Sequence, residues 1–81
     1  MYSEEQRVLD YRATFGSEHG ARVLADLVSK GHVLESTLVP EPHIFAFREG
    51  ERNMILEILR MLSLKPDQVR KVVEDVQETF A

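Results

Sequence analysis

The sequence predicts an all-α fold: a small four-helix domain with a long C-terminal helical hairpin and an extended proline-containing loop between helices two and three. Apolar residues recur at three- and four-residue steps in four separate stretches, which is the spacing of one helix face. Serine, glycine or proline stands at the ends of these stretches, where helices start and stop. A chain of 81 residues is short enough to be one domain, residues 1–81.

The first two helices are marked by capping residues. Ser3 followed by Gln6 forms a capping-box pattern, which predicts a first helix from about Glu4 to Phe15, before a glycine. Ser17 predicts the start of a second helix, and Gly31 predicts its end. The link between the two helices is so short that we expect a sharp corner or a nearly antiparallel arrangement.

The segment from His32 to Pro42 is predicted to be irregular, because its prolines prevent a helix. It carries four apolar residues that need to be buried somewhere. Either the segment covers the core, or it protrudes and binds a neighbouring subunit. In the second case Leu38 and Val39 are the candidate contact residues.

The third helix is predicted to be the longest, from near Pro42 to about Leu62, and to be the element around which the others are arranged. Its apolar residues cover more than one face, so we expect neighbours on more than one side. They include Ile44, Phe47, Met54, Ile55, Ile58, Leu59 and Leu62.

Gly50 lies within this helix, where glycine is about 1 kcal/mol less favourable than alanine. Close approach of another helix, a kink or a bound ligand would compensate, and close helix packing is the interpretation we favour. Pro66 begins a fourth helix that runs to about Thr79 and carries a valine-rich stripe. The fourth helix is expected to pack antiparallel against the third.

Composition argues against several functional classes. The net charge of −4 gives no general attraction to nucleic acid or to an anionic membrane, and no apolar run is long enough to span a bilayer. There is no cysteine, and the three histidines are scattered. No nucleophile–base set, phosphate loop or metal-ligand motif can be assembled. The sequence therefore predicts no enzyme activity, no cofactor and no metal.

The densest group of charges is the segment Phe47-Arg48-Glu49-Gly50-Glu51-Arg52. Arg48 and Arg52 stand four residues apart, on the same side of the third helix. They could pair with the glutamates of their own helix, form ion pairs with another protein, or bind a phosphate group. Pairing within the helix is the simplest of these interpretations.

A wider pattern resembles a known group of proteins. It combines Asp10-Tyr11-Arg12, the stretch Gly20-Ala21-Arg22-Val23-Leu24-Ala25-Asp26-Leu27, a proline-containing loop and Ala46-Phe47-Arg48-Glu49-Gly50-Glu51-Arg52. This is similar to a family of small proteins of tailed bacteriophages, encoded among the genes for portal, scaffold and coat. The likeness covers roughly Asp10 to Leu64 and leaves out the N-terminal residues and the valine-rich helix.

The resemblance implies a phage protein that acts in the virion or its assembly, through contacts with other virion proteins or with itself as a homo-oligomer. It implies a location in the host cytoplasm during assembly, or in the virion. The candidate contact residues are Phe47, Arg48, Glu49, Gly50 and Arg52. The alternatives are a phage-encoded modulator that binds a host protein and, less favoured by the charge, a nucleic-acid-binding module.

Overall fold

A computed structural model describes residues 1–35 and 39–80. It consists of four helices: α1 (Glu4–Phe15), α2 (Glu18–Lys30), α3 (Pro42–Met61) and α4 (Pro66–Phe80). No strand occurs in the part of the chain that the structure describes. The predicted all-α fold class is therefore confirmed, and the predicted helix limits differ from the observed ones by about a residue.

The helix starts are fixed by the side chains that the capping patterns predict. The Ser3 hydroxyl accepts a hydrogen bond from the backbone N–H of Gln6 at 3.1 Å, and the Ser17 hydroxyl accepts one from Gly20 at 2.9 Å. The Gln6 side chain does not return to Ser3 as a full capping box would; it donates to Asp10 at 2.8 Å. These local bonds explain why α1 and α2 begin where the sequence predicts.

Two helix ends depend on a left-handed residue that is not glycine. At the end of α3, Ser63 has φ 56, its N–H bonds to the Arg60 carbonyl, and the Leu64 N–H bonds to the Leu59 carbonyl. This is the Schellman arrangement, in which glycine is the usual left-handed residue. His32 holds the equivalent position after α2, with φ 57, so the residue beyond Gly31 makes the turn.

The central element is α2, which contacts the other three helices. Its stripe of Leu24, Ala25 and Val28 is buried, and Val28 is fully inaccessible. The prediction that α3 is the organising element is wrong, because only the C-terminal part of α3 enters the core. The buried cluster consists of Leu24, Ala25, Val28, Val33, Ile55, Leu59, Val69 and Val73.

The expected hairpin of α3 and α4 is also wrong. The main contact of α4 is with α2, and its Val69 and Val73 lie in the core beside the α2 stripe. The Arg22 guanidinium of α2 lies over the Phe80 ring, 5.8 Å from its centroid. The chain changes direction at the left-handed residue after α3, so α4 reaches α2 instead of running back along α3. The resulting domain is flat, with extents of 40 × 38 × 16 Å.

The segment after α2 partly confirms its predicted role as a cover. Val33 is 4% exposed and belongs to the core, and Leu34 packs against it. Val39 is half-buried, whereas Leu38 lies outside the described residues. The first part of this segment therefore closes one side of the core. No helix in the described ranges has the length and apolar character needed to cross a membrane.

Candidate functional site

The candidate site is the N-terminal segment of α3, residues 42–54, which leaves large apolar side chains in solvent. Ile44 is 47% exposed, Phe47 is 69% exposed and Met54 is 65% exposed. From the next residue onwards the stripe is buried, since Ile55 is 8% exposed and Leu59 is 1% exposed. The predicted stripe of α3 is thus divided between a buried C-terminal part and an N-terminal part that the described residues of the chain leave exposed.

Within this segment Phe47, Gly50 and Met54 lie on one side of the helix, because their spacing of three and four residues follows the helical repeat. We call these three residues the Phe47 face. A β-carbon placed on Gly50 would meet no atom within 4 Å. The close helix packing predicted at Gly50 is therefore not made within the described chain. The helix keeps the cost of an interior glycine, about 1 kcal/mol, without a visible compensation.

The charged residues of the segment are half-buried, and most of them have no polar partner within residues 1–35 and 39–80. Neither Arg48 nor Arg52 forms an ion pair or side-chain hydrogen bond with any residue in the described ranges, and the same holds for Glu51. Glu49 differs, because it does make a polar or electrostatic contact within the chain. Pairing of Arg48 with Glu51 inside the helix, the simplest interpretation of the sequence, is not what the structure shows.

The C-terminal part of α3 behaves differently. The Arg60 guanidinium donates to both carboxylate oxygens of Glu57, at 3.1 and 2.5 Å, and lies 3.9 Å from Glu4 of α1. The hydrogen bond from Arg60 holds the pKa of the Glu57 carboxyl below its usual value. Arg60 is therefore already engaged, unlike Arg48 and Arg52, for which the described ranges contain no ion-pair partner.

A shallow apolar hollow of about 230 Å³ adjoins the Phe47 face. It lies where the end of α2 meets α3, and Met54 forms part of its wall. The other lining residues are Leu27, Lys30, Gly31, Glu51 and Ile55. Sequence reasoning missed this hollow, because it depends on how α2 ends against α3. A second hollow, of about 310 Å³, lies between α2 and α4 on residues that include Arg22 and Phe80.

The structure brings most of the predicted contact residues together. Phe47 and Gly50 are exposed, while Arg48, Glu49 and Arg52 are half-buried on the same helix. Val39 is half-buried three residues before α3, and the prediction for Leu38 concerns a residue that is not described. Among residues 1–35 and 39–80, no group of three His, Asp or Glu side chains could hold a metal ion.

Sequence comparison identifies a family. A model of the family described as Bbp19-like phage protein matches residues 11–74 of this chain. No curated protein and no solved structure matches it. The predicted resemblance to a phage protein family is thereby confirmed. The match continues into α4, so the expectation that the valine-rich helix lies outside the likeness is wrong.

Proposed function

Because this chain belongs to the family of Bbp19-like phage proteins, we propose that it is a non-enzymatic protein of virion assembly. In this proposal it acts by binding other particle proteins through the N-terminal segment of α3. It works in the host cytoplasm while particles form, or as a component of the virion itself. Family membership supports the phage setting, and the exposed segment of α3 supports action by protein–protein contact.

The observation that carries the proposal is the exposure of Phe47 and Met54 on one helix face. Burying a side chain of this size contributes about 1.5–3 kcal/mol, which the isolated chain does not gain at these positions. Scattered exposed apolar residues are ordinary, but a contiguous group beside an apolar hollow is typical of a contact surface. Arg48 and Arg52, which have no ion pair within the described part of the chain, would supply specificity at the rim of such a contact.

The experiment is capture of particle proteins by a tagged form of the full chain. The chain is co-expressed with the portal, scaffold and coat proteins of the same phage genome, and retained proteins are identified by mass spectrometry. The expected result is retention of one of these proteins, with loss of retention for Phe47→Ser. Leu9→Ser is the matched control, because Leu9 is 59% exposed but lies on α1.

Three results would count against the proposal. Retention of none of the particle proteins would remove it. Capture of a host protein as the main partner from infected cells would favour a modulator of the host instead. Binding to DNA that weakens steeply with salt, and that depends on Arg48 and Arg52, would favour a nucleic-acid-binding module.

A further inference from the structure

We infer that the Phe47 face is a self-association surface, on which two copies of this chain pair through antiparallel α3 helices that cross near Gly50. The inference rests on the proposed function in taking α3 as the contact surface, and it adds the identity of one partner, a second copy of the chain. Self-association can be measured on the purified chain alone, so it can fail or hold independently of particle binding.

The positions of the three residues favour a two-fold arrangement. Phe47 lies three residues before Gly50 and Met54 lies four residues after it, so bulky side chains flank a position that has none. An antiparallel partner presents the same order in reverse, and a two-fold axis near Gly50 brings each Phe47 onto the Gly50–Met54 stretch of the other copy. A single contact then covers Phe47 and Met54 of both copies.

Gly50 suits the crossing point, because it offers open space on an exposed helix face. Apart from the adjoining backbone of its own helix and the two neighbouring residues, no atom of the described chain lies within 4 Å of the β-carbon position, so an aromatic ring of a partner could approach the backbone there. Ala46, one turn earlier, is also small and exposed. Since no other element in the described ranges packs on Gly50, the helix has space there for a partner from another chain.

The charges of the segment are compatible with contact between identical copies. The chain carries a net charge of −4, which makes copies repel one another. Residues 42–54, however, contain two arginines and two glutamates and have no net charge. In the antiparallel arrangement Arg48 of each copy lies on the same flank as Glu51 of the other. Each copy can therefore offer a partner to a residue that has none among residues 1–35 and 39–80 of its own chain.

The contact is expected to be modest in size. Residues 42–54 form about 20 Å of helix, and the hollow beside Met54 extends the surface towards α2. A stable specific interface buries about 1,200–2,000 Å² in total, and a crossing of two short helix segments lies at the lower end of this range. Self-association should therefore be sought over concentrations from about 1 μM to about 1 mM.

The main experiment is sedimentation equilibrium of the full chain and three variants over that concentration range. The wild-type chain is expected to dimerise. Phe47→Ala is expected to raise the dimer dissociation constant at least about tenfold, as is typical for a central aromatic residue. Gly50→Ala is expected to raise it by a similar factor, because the methyl group occupies the crossing point. Gln77→Ala, at an exposed position of α4, is the control; it keeps the net charge of the chain and should leave the constant unchanged.

Gly50→Ala separates an interface role from a structural one. The variant should unfold at a higher temperature than the wild type when both are dilute and monomeric, because alanine favours the helix. Gln77→Ala should also unfold at a slightly higher temperature, because alanine favours the helix more than glutamine does. Only Gly50→Ala should combine a more stable monomer with a weaker dimer. A residue needed merely for folding would not give that combination.

The orientation can be tested by disulfide formation, because the natural chain contains no cysteine. Glu51→Cys lies one residue from the proposed axis, on the flank of the helix, so it leaves the crossing point at Gly50 open. It should oxidise to a covalent dimer at a concentration where Ala13→Cys on α1 remains monomeric. Ile44→Cys should cross-link poorly, since an antiparallel partner places the two copies of residue 44 at opposite ends of the contact.

The outcomes separate the two proposals. A chain that stays monomeric near 1 mM, or a dimer that neither Phe47→Ala nor Gly50→Ala weakens, overturns this inference. If the same chain still retains a particle protein, the proposed function is supported although the chain does not pair through the Phe47 face. Efficient cross-linking of Ile44→Cys would overturn the antiparallel arrangement.

Discussion

A β-carbon on Gly20 would stand 1.8 Å from the carbonyl oxygen of Thr14. The first turn of α2 therefore lies against the last turn of α1, and the corner between the two helices depends on the absence of a side chain. Helix propensity alone favours Gly20→Ala, but here the methyl group would displace backbone. We expect Gly20→Ala to lower the free energy of unfolding by at least about 1–3 kcal/mol, measured by urea denaturation.

Gly50→Ala provides the opposite case, because a β-carbon there meets nothing within 4 Å. We expect it to raise the free energy of unfolding of the monomer by about 1 kcal/mol in the same denaturation experiment at low protein concentration. A loss of stability instead would mean that the backbone near residue 50 is closely packed within the chain, contrary to the structure.

The two parts of α3 should respond differently to truncation. Leu59 is 1% exposed, so Leu59→Ala is expected to lower the free energy of unfolding by about 2–5 kcal/mol. Phe47 is 69% exposed, so Phe47→Ala should change monomer stability by less than about 0.5 kcal/mol. Circular dichroism during urea unfolding measures both. Similar losses for the two variants would show that the N-terminal part of α3 belongs to the core.

Ser63 holds a left-handed conformation, φ 56, that costs a non-glycine residue about 1–2 kcal/mol. We expect Ser63→Gly to recover part of this and to raise the free energy of unfolding by about 0.5–1 kcal/mol, measured by thermal and urea unfolding. Lys71→Gly, inside α4 and exposed, is the control and should lower the stability. A decrease for both variants would contradict the left-handed assignment of Ser63.

The N-terminal residues are held to α1 by a bond that depends on pH. The Tyr2 hydroxyl donates to the Asp10 carboxylate at 2.6 Å, and this bond lowers the pKa of Asp10 and raises the pKa of Tyr2. Because the folded pKa of Asp10 is depressed, its stabilising contribution is fully present above the usual value of 3.8 and disappears as the pH falls through the folded value. The Tyr2 contribution disappears as the pH rises through a folded pKa above 10.0.

We expect Tyr2→Phe to return the Asp10 pKa towards 3.8, although the Gln6 side chain still donates to Asp10 and will keep part of the shift. Carbon-detected NMR titration of the Asp10 carboxyl measures this directly. Glu57 is the internal reference, because its pKa is lowered chiefly by Arg60 and should not change. An Asp10 titration that is identical in the variant and the wild type would show that the bond is absent in solution.

The helix boundaries could be predicted because the interactions that set them are local. Ser3 and Ser17 bond to backbone groups three residues away, and Pro66 is the first residue of α4, a position that proline favours. The candidate segment around Phe47 and Arg48 was also visible as a pattern of residue types. What the pattern could not show was that its arginines lack ion pairs with the rest of the described chain, since that depends on rotamers and neighbours.

By itself, the sequence determined four helices, their caps and the family, because each depends on short-range spacing or on residue identity along the chain. Only the tertiary structure decided which helix is central. The apolar stripe of α3 is long enough for that of a core helix. The chain turns at Ser63, however, and α4 then buries its valines against α2. Periodicity shows that a helix face is apolar, but not which element covers it. Whether Phe47 is exposed is decided by where the other helices end.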